Sequence, residues 1–347
     1  IQPDAIGKLT DDQLKGLTSD QIAALTSGQV QALSAKQLNG LSTTQISNLE
    51  TNDLAAINTA VISSLTTATL NSMTSKQIGA LTTAQARALK GAQISNLGTT
   101  QIKGLGTASL AALTTAQVSA MSSAALGQLS TDQIQGFSTE AISSFSTTQI
   151  AGLSASKFTA LTSSQVGALK AAQLNTLDSA QLQGIETADI AAIGTSALSS
   201  LGTAQVNKLS SAQIAALTTA QVSKLTVDQI SNLGSTQISG LETVDIAAFT
   251  NTQIGAINSA ELTLLSTSQI QGFTPDAIGS LTTGQIGGLS AAKLKALTSS
   301  QIDALKTSQL RAISTTVLAA LTTADVARLS SAQYAALTSD QIAALPQ

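Results

Sequence analysis

From Leu9 to Leu345 a large apolar residue stands at every eighth position, and no insertion or deletion disturbs the register. Residues 2–345 divide into 43 octads. The eighth position is Leu in 32 of them and Ile, Met or Phe in the rest. The fifth is Ile, Val or Leu in 40, the exceptions being Ala86, Phe158 and Tyr334. The fourth is Gln in 27, and the first two are mostly Thr or Ser, so the octad reads Thr-Thr-Ala-Gln-Ile-x-Ala-Leu. A globular domain carries loops of varied length. A chain without them places each unit in nearly the same environment as its neighbours, which is the condition of a solenoid.

Side-chain parity decides between helix and strand. The two large apolar residues of an octad, such as Ile22 and Leu25, are three apart. That spacing shares one face of a helix but falls on opposite faces of a strand. The residues ahead of the pair agree. "TSDQ" and "TTAQ" fit the capping box, in which a Ser/Thr hydroxyl accepts from the N3 amide and a Gln at N3 reaches back. Pro3 and Pro275 both fall on position two, which becomes N1, where proline loses no hydrogen bond. Asp53, Asp189, Asp245, Glu261 and Asp325 replace Gln at N3, where a negative charge suits the helix dipole. One continuous helix is excluded, because eight residues overshoot two turns by roughly 80° and the Leu row would spiral around the axis. The expectation is an all-α solenoid of short capped helices, one per octad, running through residues 1–347 as a single array. A β-solenoid with one strand per octad is the alternative.

A longer period overlies the octads. "QIQGFSTEAISSF" (133–145) returns as "QIQGFTPDAIGSL" (269–281), and "ETNDLAAI" (50–57) as "ETADIAAI" (186–193). Each shift is 136 residues, or 17 octads. Segmental duplication accounts for it, and so does a superhelix that completes whole turns in 17 octads.

Composition limits the chemistry. His, Cys and Trp are absent, Tyr334 is the single tyrosine, and charged residues make up 10%. Without His or Cys the commonest general base and one nucleophile are missing. The many Ser and Thr fall on cap positions, and carboxylate pairs such as Asp11–Asp12 fall in a first helical turn. No metal-ligand spacing, phosphate-binding glycine loop or calcium motif occurs. The sequence therefore assigns no catalytic, cofactor-binding or metal-ligating residue, and no enzyme or cofactor is expected. With 16 Lys plus Arg against 19 Asp plus Glu, no basic stripe is available for phosphates. No apolar run reaches the length of a membrane span. The chain opens on Ile1 instead of Met, which reads as a processed or excised segment.

Two resemblances follow from these stretches. "LTSDQIAAL" (17–25) resembles the opening helix of TAL-effector DNA-binding repeats, but the longer two-helix repeat and its base-reading loop are missing, so nucleic acid is not an expected partner. Over nearly the whole chain, arrays of the "LTTAQVxxL" type resemble the repetitive tracts of very large bacterial secreted or cell-surface adhesin-like proteins, some labelled haem utilisation or adhesion proteins. That resemblance implies an extracellular or cell-surface location and a structural or adhesive role. Its haem label finds no ligands here, since only two Met stand in for the missing His and Cys. A helix of two turns does not hold itself, so stability must come from stacking summed along the array. "QPDAIGKL" and "TSDQIAALPQ" resemble internal octads, and apolar surface left at such ends predicts association with further copies of the chain. The expected role is a self-assembling element of an extracellular bacterial filament, sheath or stalk. The alternative is a surface adhesin, or an ice- or glycan-binding array, using ladders of Ser/Thr hydroxyls.

Overall fold

A computed structural model describes residues 2–346. Every octad forms one short α-helix, from Pro3–Ile6 to Ser339–Ala344, and none exceeds six residues. No strand occurs among the described residues, which removes the β-solenoid. The three-residue spacing of the apolar pair is satisfied on one helical face, as in Ile78 and Leu81, both buried.

Position one is the N-cap and position four is N3. Thr82 is extended (φ −64°, ψ 158°), its hydroxyl accepts from the Gln85 amide, and the Gln85 side chain accepts in return from the Thr82 amide. Pro3 and Pro275 each occupy the first residue of their helix. Helices end without a left-handed residue, since no positive φ occurs among the described residues. Instead, position eight and the next cap are both extended, as at Leu41 (φ −70°, ψ 147°) and Ser42 (φ −70°, ψ 160°). These two extended residues redirect the chain after each octad, and the next cap restarts the helix.

The chain divides into two compact units, Ile1–Ile185 and Glu186–Gln347. In the first, helix Ser75–Gly79 packs on Thr99–Gly104 and helix Ala155–Thr159 on Ser179–Gly184, each three octads on. In the second, Ser211–Ala215 packs on Ser235–Gly240 with the same step. Hydrogen bonds described below reach four octads back, so a superhelical turn in either unit holds between three and four octads. Positions five and eight form the core of both units, and Phe137 and Phe145, at position eight of adjacent octads, meet edge to face with centroids 5.3 Å apart. Among the described residues no helix is long and apolar enough to cross a membrane.

Candidate functional site

The chemistry that recurs along both units lies in the seam between successive turns, and its centre is the glutamine of position four. Each helix leaves carbonyls at its C-terminus without intrahelical partners. Gln85 is 1% exposed. Its Oε1 closes its own cap, while its Nε2 donates to the carbonyls of Leu54 (2.8 Å) and Ile57 (2.8 Å), which are 31 and 28 residues earlier. Gln117 does the same to Ala86 (2.9 Å) and Leu89 (2.7 Å). In the second unit Gln221 takes Ile190 and Ile193, and Gln301 takes Ile270 and Phe273. One carboxamide thus caps the start of its own helix and bolts the end of a helix four octads back. The amide serves both functions at once, whereas a charged carboxylate lacks the donor and an amine lacks the acceptor.

Position six supplies a second link. Asn71 donates to the Asn96 carbonyl (2.8 Å) and accepts from the Gly98 amide (2.8 Å). Asn207 repeats this with Asn232 (2.6 Å) and Gly234 (3.1 Å). Gly98 and Gly234 are N-caps without a side chain to close the helix. Gln271 and Arg311 also donate to carbonyls 25 residues ahead, those of Ala296 and Ala336.

At position seven, glycine allows the helices to approach. A Cβ on Gly104 would lie 2.4 Å from the Ser75 carbonyl oxygen, on Gly184 2.6 Å from that of Ala155, and on Gly240 2.3 Å from that of Ser211. These are the three helix pairs named above.

Where position four is not Gln, the seam changes. Lys157 and Lys293 are buried, and their ammonium groups reach the same ring of carbonyls, Lys157 that of Gly127 and Lys293 those of Leu262 (3.0 Å) and Thr263. Burial pushes both amines below the usual lysine range. The acidic replacements divide. Burial pushes the carboxyls of Asp245 and Glu261 up, against the amide bonds from Glu242 and Asn258 that favour the charge. Burial also acts to raise Asp325, but bonds from Thr322 and the charges of Arg328 and Lys295 outweigh it and hold that carboxyl below its ordinary value. Desolvation therefore outweighs the cap hydrogen bonds at Asp245 and Glu261, and the reverse holds at Asp325. Asp53 finds a different donor, the Ser27 hydroxyl at 2.6 Å.

The capping role of positions one and four was visible in the sequence, whereas the bolt was not. Position-one hydroxyls, one half of the proposed Ser/Thr ladders, face their own N3 amides, as at Thr10, Thr114 and Ser266. Among the described residues no three His, Cys, Asp or Glu side chains gather where a metal ion could sit.

The motif Ala-Leu-Thr-Thr-Ala-Gln, present at 80–85, 112–117 and 216–221, joins the buried end of one octad to the cap and bolt of the next. A family profile described as the ALTTAQ repeat matches residues 46–83, 104–139, 182–219, 208–235, 238–275, 278–315 and 312–346, well over half of the chain. A search of curated proteins returned no match. On the strength of those repeated matches, and of the seam the motif builds, the chain belongs to the ALTTAQ repeat family.

Proposed function

We propose that this protein is a non-catalytic structural scaffold that assembles with copies of itself in an extracellular bacterial filament, sheath or stalk. The observation that carries the reading is the generic character of the seam. Its donor is one side chain repeated in 27 octads and its acceptors are backbone carbonyls, so an octad that carries this glutamine can follow any turn. In the turn closing at Leu345, Val326 and Ile342 are only partly covered and Tyr334 is 44% exposed, although all three occupy the core position five. In the opening turn Gln13 and Gln21 are exposed. A further turn, whether from the same polypeptide or from another copy, meets matching donors, acceptors and apolar surface. The use of position-one hydroxyls as caps, each accepting from its own N3 amide, gives them a structural role and favours this scaffold over an adhesive, ice-binding or glycan-binding ladder.

The test is electron microscopy of the purified chain over a range of concentrations. Filaments that lengthen with concentration and show a regular axial repeat are the expected result. Monodisperse rods of one length at every concentration would overturn self-assembly and leave the surface-array reading in its place.

A further inference from the structure

We propose that Glu261 is an acid-closed latch: uncharged, it joins its helix to the turn carrying Ile230 and Leu233, and charged, it leaves that seam open. Glu261 holds the position-four site of helix Ser259–Leu264 and is 5% exposed. Its Oε2 accepts from the Asn258 amide at 2.8 Å, and its own amide donates to Asn258 Oδ1 at 2.9 Å, so the cap is complete. The bolt is another matter. The glutamines one octad to either side, Gln253 and Gln269, donate to Val222 and Leu225 and to Ile238 and Leu241. By the same spacing, a Gln at 261 would donate to the carbonyls of Ile230 and Leu233. Glu261 does face those two residues, since all three line a small apolar cavity with Leu241 and Leu265.

A charged carboxylate has no proton to offer these carbonyls and places negative charge beside the negative end of a helix dipole. A neutral carboxyl is isosteric with glutamine. One oxygen keeps the Asn258 amide and the other becomes an O–H donor, the proton coming from solvent. Few other charges bear on the site. Helices Ser235–Gly240 and Thr283–Gly287, which pack on this one, carry none. Helix Val227–Ser231 carries the exposed Asp228, and helix Ala291–Ala296 carries Lys293, at the far carbonyls of Leu262 and Thr263, together with the exposed Lys295.

The direction of the pH effect follows. Burial raises the Glu261 carboxyl in the folded chain, so the folded state binds a proton that the unfolded state has released. The latch is fully stabilising below the ordinary glutamate value, about 4.3, and is lost as pH rises through the raised one.

The experiment follows urea unfolding of the full chain from pH 4 to 7.5, with carbon-detected NMR titration of the Glu261 carboxyl. The wild-type protein is expected to titrate Glu261 above its ordinary value. Glu261→Gln should raise the midpoint at neutral pH and flatten that part of the profile. Gln253→Glu should do the reverse, creating a new acid-dependent seam one octad away. A Glu261 carboxyl that titrates at or below its ordinary value, or a Glu261→Gln profile parallel to wild type, would overturn the latch.

Discussion

Residues 74–105 and 242–265 are built from the same octad, yet only the first stretch is bolted at every helix. In it Gln77, Gln85, Gln93 and Gln101 each reach carbonyls in octads four places earlier. In the second, Asp245 and Glu261 flank a single Gln253. The core does not register the change, for Ile246 and Leu262 are as buried as Ile78 and Ile94. Glutamine at position four is therefore dispensable for making a helix, and what it adds is a hydrogen-bonded link to the turn before. The fold tolerates open seams because positions five and eight still close the core.

That contrast can be broken from the bolted side. Gln117→Ala removes a cap acceptor and two cross-turn donors while leaving the Ala86 and Leu89 carbonyls in place, and we expect a loss of about 2–3 kcal/mol in urea unfolding. Gly104→Ala and Gly240→Ala force a Cβ against a backbone carbonyl, and each should cost about 1–2 kcal/mol by overpacking. Local hydrogen exchange should locate that loss in the octads beginning at Thr74 and Ser210. The smallest effect runs the other way. Lys157→Gln returns an acceptor to the Ser154 amide, whose cap is open, and replaces a desolvated ammonium, so a gain of about 1 kcal/mol is expected. Calorimetry of the single variant suffices to check its sign.

Much of this architecture was legible in the sequence because it is local. The N-cap at Thr82, the N3 role of Gln85 and the first-turn placement of Pro275 depend on neighbours within one octad. The bolt depends on residues 28 and 31 positions apart, and octad spacing alone leaves the size of a superhelical turn undetermined. One signal for it was present. A capping box accepts Glu as readily as Gln, yet position four holds Gln in 27 octads and Glu only at 261. That imbalance points to a donor with work beyond the cap. The closeness at Gly104, Gly184 and Gly240 was hidden for the same reason, since each glycine meets a residue 29 positions earlier. The pair Asn71–Gly98 and its counterpart Asn207–Gly234 stand 136 residues apart, so the long sequence period carries matching seam contacts into both units.

The most direct test of the bolt is Gln85→Glu, followed by urea unfolding at neutral pH. The substitution keeps shape and the oxygen that accepts from the Thr82 amide, and it exchanges the donor to Leu54 and Ile57 for a second, charged oxygen. A loss of about 2 kcal/mol or more is predicted, because a buried carboxylate would then face two carbonyls. Unchanged or increased stability would mean that position four serves the cap alone, and the seam described here would not be what holds the turns together.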